Sequence, residues 1–369
     1  MDLQEFLNEW HNDSPTVLVH TSGSTGTPKP MWVEKHRMEA SARMTCTFLG
    51  LKPGDTALLC MSLDYIAGKM MVVRALTCGL RLITVSPSGH PLSDTPDTGG
   101  QSRDTGGQSL CNPLRFSHEG QSPCVPSVDF AAMVPLQVYN SLQVPEECER
   151  LKQIKRLIIG GGPVDAALAD ELAGFPHAVW STYGMTETLS HIALRRLNGP
   201  ERTEWYTPLP GVRLSQTEDG CLVISAPALH DGPLVTNDIV AFRDSASSLR
   251  TEGTEERPFL FKVLGRKDNV ICSGGIKIQA EQVEKALAAH MHVPYIITKA
   301  PDRKLGEQVV LLTESADVES LKDLCRRVLP KYWQPRHVIT VSRLPMTATG
   351  KPARSEAQRL AAAAVQPSR

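Results

Sequence analysis

The chain has 369 residues, of which 41% are hydrophobic and 21% charged, and this composition excludes collagen-like, disulfide-scaffold and wholly disordered proteins. The 39 basic residues nearly balance the 40 acidic ones, and only 5% of residues are aromatic. A protein with net charge -1 and few aromatic rings has neither the basic field nor the stacking surfaces typical of nucleic-acid binding. We therefore expect no nucleic-acid partner.

The chain also lacks the sequence features of secretion and of membrane insertion. Residues 1–5 do not show the charged-then-apolar pattern of a signal peptide, and no apolar run approaches the roughly 18 residues that a membrane helix needs. The nine cysteines are scattered, so there is no CxxC unit for zinc or redox chemistry. These features predict a cytoplasmic protein with reduced thiols and no stable membrane insertion.

In the first half of the chain, apolar β-rich runs alternate with segments of helical periodicity. The predicted strands span residues 16–20, 56–61, 81–85, 156–159 and 177–180, and the predicted helices span residues 33–49, 66–78 and 164–173. Strands that alternate with helices are typical of a parallel sheet with helical crossovers.

The pattern changes in the second half. Shorter strand-like runs fill residues 211–264 (221–225, 234–242 and 258–264), and a second α+β unit begins near residue 269. We therefore predict a large domain over 1–267 and a small one over 268–369. Residues 269–369 hold 15 lysines and arginines against 9 acidic residues. A basic small domain beside an acidic large one suits a polyanionic ligand shared between them, although chance asymmetry and attraction between the domains explain it equally well.

One segment is of low complexity. The hexapeptide DTGGQS occurs at 97–102 and again at 104–109. Two copies are too few for a solenoid, and these residues cannot form an apolar core. We expect residues 93–126 to be a flexible surface insertion without a chemical role.

A Gly-, Ser- and Thr-rich loop follows the first predicted strand. It reads Thr21, Ser22, Gly23, Ser24, Thr25, Gly26, Thr27, Pro28 and Lys29. Its glycines allow backbone N–H groups to converge, its hydroxyls add donors, and the lysine adds a positive charge. This combination predicts a phosphate-binding loop, although the spacing is not that of a Walker loop. The alternative is a flexible linker.

The loop resembles the phosphate loop of the adenylate-forming superfamily, which includes acyl-CoA synthetases, adenylation domains and luciferases. Five further motifs match that superfamily in the same order, so that the resemblance spans residues 17–354. They are Gly160-Gly161-Gly162-Pro163; Tyr183-Gly184-Met185-Thr186-Glu187-Thr188; Thr236-Asn237-Asp238; Gly265-Arg266-Lys267-Asp268 with Ser273-Gly274-Gly275; and Leu344 to Lys351, which reads LPMTATGK.

The resemblance implies a role for each matching residue. ATP would be bound by Thr21, Ser22, Gly23, Ser24, Thr25, Gly26, Lys29, Gly161, Gly162, Pro163, Thr182, Tyr183, Gly184, Asp238 and Arg266. The catalytic residues would be Lys351, Thr186, Glu187 and Arg266, and Glu187 would also bind Mg²⁺. Asp268 would be the interdomain hinge, and Gly274 and Gly275 would contact CoA. Each charged residue also has a plain alternative: a solvated loop acid at 187, a turn cap at 238, a salt bridge at 266 and a surface lysine at 351.

The sequence departs from the family pattern at several points. The phosphate loop begins at residue 21, where family members usually carry a long preceding segment, so the large domain would be a shortened form. Tyr65 stands where the family has a histidine thought to gate the acyl tunnel. Asn237 replaces a glycine, a mild change because Asn tolerates a positive φ better than most residues. We assign Tyr65 and Lys69 to the acyl pocket, with Lys69 as the cation for a second carboxylate; the alternative for Lys69 is the solvent face of a helix.

The expected fold is therefore α/β: a shortened adenylate-forming large domain, made of a parallel-sheet part and a β-rich part, followed by a small mobile α+β domain. The implied activity is activation of a carboxylate by Mg-ATP to acyl-AMP, followed by transfer to CoA. Residues 65–71 resemble most those of o-succinylbenzoate–CoA ligases of menaquinone biosynthesis. Another aryl- or acyl-CoA ligase, an enzyme that loads a carrier protein, and a truncated binding protein without catalysis remain open, as does a homodimer.

Overall fold

The computed structural model describes residues 1–20, 30–93, 128–243, 260–347 and 351–365. The predicted insertion at 93–126 lies outside these ranges except for Ser93, and the whole predicted phosphate loop, residues 21–29, lies outside them. The helices are α1 (Leu3–His11), α2 (Lys35–Leu49), α3 (Ile66–Cys78), α4 (Pro135–Leu142), α5 (Pro145–Gln153), α6 (Ala166–Leu172), α7 (Ala280–Ala288), α8 (Val318–Val328) and α9 (Arg354–Val365). Within the described part of the chain, none of them is long and apolar enough to span a bilayer.

The large domain is built around a seven-stranded sheet. A separate antiparallel pair, β1 (Thr16–His20) and β2 (Pro30–Glu34), precedes it. The sheet comprises β3 (Thr56–Leu59), β4 (Arg81–Thr84), β5 (Phe130–Met133), β6 (Arg156–Ile159), β7 (Ala178–Gly184), β8 (His191–Arg196) and β9 (Thr207–Pro208), in the order β4-β3-β5-β6-β7-β8-β9. Strands β4 to β7 in that order pair in parallel, whereas β8 and β9 continue the sheet antiparallel. The predicted parallel α/β sheet is thus confirmed, with an antiparallel extension that the sequence did not indicate.

Both faces of this sheet are covered, which explains its nearly continuous apolar strands. Along β3, Ala57 and Leu59 belong to the core shared with α2 and α3, while Leu58 points to the other core, shared with α4, α5 and α6. The alternation follows from the two-residue period of a strand. The loops at the strand ends are therefore held by a layer buried on both sides.

Two smaller sheets complete the fold. The β-rich part is a four-stranded antiparallel sheet of β10 (Arg213–Gln216), β11 (Cys221–Ser225), β12 (Leu234–Arg243) and β13 (Leu260–Arg266). The small domain has β14 (Val270–Ser273), β15 (Ile276–Gln279), β16 (Tyr295–Asp302), β17 (Gly306–Thr313) and β18 (His337–Thr340), in the order β15-β14-β17-β16, with β18 parallel to β17. This sheet has its own two cores, one with α7 and α8 and the other with α9. These cores are formed by residues from 271 onward, and those of the large domain by residues up to 261; the boundary at 267/268 stays a prediction.

Several predicted elements match closely. Strand β1 and helix α3 coincide with the predicted ranges 16–20 and 66–78. The helix predicted at 164–173 begins two residues later, because the Asp165 side chain caps its amino terminus by accepting from the Leu168 N–H at 2.8 Å. Strand β7 runs four residues beyond its predicted end at Trp180, since Gly184 is still paired with β8.

Candidate active site

The predicted nucleotide motifs lie at the carboxyl ends of β6 and β7, which are neighbours in the sheet. The Thr182 hydroxyl donates to the Ile159 carbonyl at 3.2 Å and so joins the two strand ends. A Cβ at Gly160 would lie 2.4 Å from that hydroxyl, and one at Gly184 would lie 2.3 Å from the Ser190 carbonyl oxygen. Glycine is therefore required at 184, where the backbone of the following turn leaves no room for a Cβ, whereas at 160 a Cβ would displace the Thr182 hydroxyl from its bond to the Ile159 carbonyl.

Asp238 is held between an aromatic hydroxyl and a guanidinium. The Tyr183 hydroxyl donates to Asp238 Oδ2 at 2.5 Å, and Arg266 Nη1 donates to Oδ1 at 3.2 Å. The register of β12 and β13 pairs Asp238 with Arg266 directly, so strand pairing itself brings the two charges together. Burial, followed by the Asp238 charge, raises the pKa of Tyr183, which therefore stays protonated as a donor. The arrangement leaves a carboxylate at the site edge that can accept from ribose hydroxyls.

Lys351, from the small domain, reaches the same place. Its Cε lies 3.6 Å from the position that a Cβ on Gly162 would occupy. Burial and the nearby Arg266 guanidinium lower the pKa of Lys351, while Asp238 acts in the opposite direction. The Lys351 carbonyl accepts from the Thr347 N–H at 2.7 Å, and its N–H donates to the Thr347 hydroxyl at 3.1 Å. The backbone of Lys351 is thus anchored at both its N–H and its carbonyl, and its side chain lies beside Gly162 and near Asp238 and Arg266.

Thr186 and Glu187 form a short 3-10 turn directly after β7. Thr186 is buried, whereas Glu187 is exposed and makes no ion pair with another described residue. The described ranges contain no group of three His, Cys, Asp or Glu side chains that could hold a metal ion. A lone carboxylate suits Mg²⁺, which proteins commonly hold through one or two carboxylates together with substrate phosphates. The residues present therefore fit a magnesium ion that enters with the nucleotide.

The predicted hinge residue Asp268 lies in a 3-10 turn spanning Lys267–Asn269. Its carboxylate accepts from Arg266 Nη2 at 2.9 Å and from the Asn237 amide at 3.2 Å on each oxygen. The replacement of glycine by Asn237 does not draw on the tolerance of asparagine for positive φ. Among the described non-glycine residues, Leu189 has the positive φ, and Asn237 continues strand β12. Its distinctive feature is the side-chain contact to Asp268, the predicted hinge residue.

The glycines predicted to contact CoA form the β14–β15 turn, with φ of 58° at Gly274 and 83° at Gly275. This turn rests on the β16–β17 turn, since the Gly274 N–H donates to the Leu305 carbonyl at 2.9 Å. Next to it is an open groove of about 670 Å³, whose charged and polar lining is Asp302, Arg303, Lys304, Gln308, Arg336 and His337. The groove is therefore mainly basic, and it belongs to the same sheet as the glycine turn.

The structure places Lys69 differently from both readings of the sequence. Its side chain is 2% exposed, so it does not lie on a solvent face. Its ammonium lies 3.5 Å from Glu9 Oε2 and 5.0 Å from the centre of the Phe6 ring, both on α1. Because α1 already supplies a carboxylate, Lys69 is not a free cation for a substrate. Tyr65, at the amino-terminal cap position of α3, is 44% exposed.

A second buried cation on α3, Arg74, was missed. It is 2% exposed, and Nη2 donates to the Ser190 hydroxyl at 2.6 Å, just beyond the Tyr183–Thr188 segment. Its Nε has no partner, and no carboxylate of the described residues pairs with it. Burial lowers the pKa of Arg74 to about 10, so it remains charged at neutral pH. The signal in the sequence was an arginine inside the otherwise apolar run of residues 70–76.

A neutral histidine borders this cation. Burial and the Arg74 charge hold the pKa of His191 well below 6.5. Its ring nitrogens lie 3.1 Å from the Thr45 hydroxyl and 3.3 Å from the Ser190 hydroxyl. Arg74 is therefore surrounded by neutral hydrogen-bonding groups and lacks a counter-ion from the described chain.

The predicted phosphate loop, Thr21 to Lys29, lies outside the described residues. Its two flanks are joined, because His20 and Pro30 are partners in the β1–β2 pair.

Comparisons with known proteins identify the family and agree with the fold. The family model described as "AMP-binding enzyme" matches residues 3–98, and that described as "AMP-binding enzyme C-terminal domain" matches residues 282–351. Among solved structures, the chain is similar to an acyl-CoA synthetase (AMP-forming)/AMP-acid ligase II-like protein from Dyadobacter fermentans. The two sequences are 33% identical, and the structures match with a TM-score of 0.57 over 95% of this chain and 91% of that chain.

Two relatives carry a more specific name. A probable 2-succinylbenzoate–CoA ligase of Mycobacterium tuberculosis is 26% identical over 94% of this chain and 84% of its own length. The o-succinylbenzoate–CoA synthetase of Bacillus subtilis, solved with ATP and magnesium, is 22% identical, with a TM-score of 0.64, over 92% of this chain and 69% of that chain. The latter supports the fold alone.

Proposed function

The chain belongs to the AMP-forming acyl-CoA synthetases, and we propose that within this family it converts o-succinylbenzoate to its CoA thioester. The observation that carries the proposal is the meeting of Lys351, Arg266 and Asp238 beside Gly162 at the carboxyl ends of β6 and β7. Two cations, together with a carboxylate that can accept hydrogen bonds from ribose hydroxyls, lie at one glycine-lined edge. They form a site for a nucleotide and a reacting carboxylate.

In the first step a substrate carboxylate oxygen attacks the α-phosphorus of ATP, and the bond to pyrophosphate breaks. Negative charge builds on the α-phosphate oxygens, where Lys351 and Arg266 stabilise it. Asp238 orients the nucleotide through the ribose. Glu187 would hold Mg²⁺ together with the phosphates, and the ion would offset the charge of the departing pyrophosphate. The protein contributes mainly positioning and charge stabilisation.

The choice of acid rests on Arg74. o-Succinylbenzoate has two carboxylates, and the one that does not react must be held in a partly buried pocket. An unpaired carboxylate is costly to bury. Arg74 is a buried cation without a carboxylate partner in the described chain, and it contacts the segment that follows the nucleotide motif. The names of the relatives support the same substrate.

The choice of CoA rests on the small domain. In the second step the thiol sulfur attacks the acyl carbon of acyl-AMP, AMP leaves, and the thiol proton passes to solvent. The phosphorylated nucleotide of CoA needs a basic surface. Arg303, Lys304 and Arg336 line such a groove next to the Gly274–Gly275 turn. Neither Arg303 nor Lys304 forms an ion pair with another described residue.

The test is AMP release from ATP with a panel of carboxylic acids, with and without CoA. We expect AMP to accumulate with o-succinylbenzoate and CoA, and CoA to be preferred over pantetheine. Release with another aryl or aliphatic acid alone would replace the substrate assignment. Release that needs a carrier protein rather than CoA would replace the acceptor, and absence of ATP–pyrophosphate exchange with every acid would refute catalysis.

A further inference from the structure

The hinge carboxylate is tied to the large domain by a side chain that the family's usual glycine could not provide. Asn237 lies on β12, and its amide nitrogen is 3.2 Å from both oxygens of Asp268. The register of β12 with β13 explains the contact. Since Asp238 pairs with Arg266, continuing that register places residue 237 opposite residue 267, next to the hinge. Asn237 is exposed, so it contributes little to the core.

This contact exists in an orientation that suits the first half-reaction. Lys351 of the small domain lies beside Gly162 of the large domain while Asp268 is bonded to Asn237. Two other contacts link the domains in the same orientation. Lys285 on α7 lies 3.1 Å from Glu204, and the Gln279 amide donates to the Arg266 carbonyl at 2.9 Å. Arg266 on β13 and Asn237 on β12 both donate to the Asp268 carboxylate itself. Arg266 also binds Asp238 of the predicted nucleotide site, whereas the Asn237 side chain is bonded to Asp268.

We infer that Asn237 is a positioning residue that favours the adenylation orientation of the small domain by restraining Asp268. The inference rests on the proposed two-step reaction, together with the predicted hinge at Asp268, at which the small domain would turn between the steps. A restraint present in one orientation and broken in the other changes their relative populations. Asn237 therefore sets how the enzyme divides its time between making acyl-AMP and transferring the acyl group.

The test measures both half-reactions separately: ATP–pyrophosphate exchange for the first, and thioester formation from presynthesised acyl-AMP and CoA for the second. The quantity of interest is the ratio of the second rate to the first. In Asn237→Ala we expect this ratio to rise about 3- to 10-fold, the effect of losing one hydrogen bond to a charged acceptor at an exposed site. In Asn237→Asp it should rise further, because two carboxylates would then face each other.

The matched control is Asn8→Ala, the same change at an exposed position of α1. It should leave the ratio unchanged, and the thermal midpoints of all three variants should match that of the wild type. A general loss of structure would lower both rates together and would not change their ratio in this direction. A ratio within twofold of the wild type in both Asn237 variants would overturn the inference. Wild-type protein that lacks either half-reaction would instead overturn the proposed function, and this inference with it.

Discussion

Replacing Arg74 by methionine should remove the preference for a dicarboxylate substrate without lowering the stability of the fold. The guanidinium is buried with one short hydrogen bond, to Ser190, and with its Nε unpaired. Methionine fills a similar volume without charge and suits the sulfur-rich surroundings of Met71 and Cys46. In the absence of substrate the variant loses one hydrogen bond but no longer buries an uncompensated charge.

The magnitude follows from the pKa of Arg74. Burial lowers this pKa from 12.5 to about 10, which corresponds to about 3 kcal/mol for keeping the charge at this position. A carboxylate that pairs with the guanidinium recovers free energy of that order, or a factor of roughly 10² in kcat/KM. We therefore expect the wild type to prefer o-succinylbenzoate over an analogue without the non-reacting carboxylate by about 10², and Arg74→Met to lose nearly all of that preference. The midpoint of urea unfolding should not fall, because removing a buried unpaired charge offsets the lost hydrogen bond.

The assay is AMP release with CoA present, with o-succinylbenzoate and each of its two monocarboxylate analogues. The matched control is Lys69→Met, since Lys69 is equally buried on the same helix but already pairs with Glu9. This control should keep the preference for the diacid and should instead lower stability, because it leaves Glu9 without its partner. If Lys69→Met abolishes the preference and Arg74→Met retains it, the assignment of the two cations is reversed and the reasoning is refuted.

Three further outcomes are expected. Lys351→Ala should slow ATP–pyrophosphate exchange by about 10²–10³, or ~2.7–4 kcal/mol, while transfer from presynthesised acyl-AMP is nearly unchanged; equal loss in both steps would contradict a role confined to adenylation. Asp268→Pro should leave one half-reaction working and block the other, because proline fixes φ at the hinge. If the variant melts normally and both half-reactions remain intact, the pivot lies elsewhere. As pH falls below about 6.5, the wild type should lose stability relative to His191→Asn. The pKa of His191 is lowered in the folded state, so only the unfolded chain takes up the proton. If the unfolding midpoints of the two proteins change in parallel between pH 8 and 5, His191 is not the cause.

Local sequence patterns predicted those helices and motif positions that are determined by neighbouring residues in the chain. Helix α3 matched its predicted range because glycine follows at residue 79 with φ of 67°, a left-handed carboxyl-terminal cap. The motif residues Lys351, Asp238 and Arg266 lie near one another, since each motif stands at the end of a strand or in a turn that the fold brings to one edge; their roles stay a prediction. Helix α1 was missed although Asp2 and Glu5 form a capping box there, a signal that the sequence does contain.

Charge pairing across the fold could not be predicted in the same way. Lys69 and Arg74 are both cations in one apolar helix, and nothing within that helix distinguishes them. The difference lies in Glu9, which is 60 residues before Lys69 and reaches it because α1 packs Phe6 and Trp10 into the core of the large domain. Which cation is neutralised is therefore a property of tertiary packing.

The same packing gives α1 a part in the proposed specificity. Two buried cations on α3 without counter-ions would repel each other and attract anions indiscriminately. By supplying Glu9 to Lys69, α1 neutralises the cation near the start of α3 and leaves Arg74, five residues further on, as the buried positive charge that a ligand must satisfy. A Glu9→Gln variant should therefore weaken discrimination between the diacid and its monocarboxylate analogues without removing it, because Lys69 would become a second anion-binding group and Arg74 would be unchanged. Discrimination that stays at the wild-type value in Glu9→Gln would mean that Lys69 lies too far from the acid to matter, whatever its charge state.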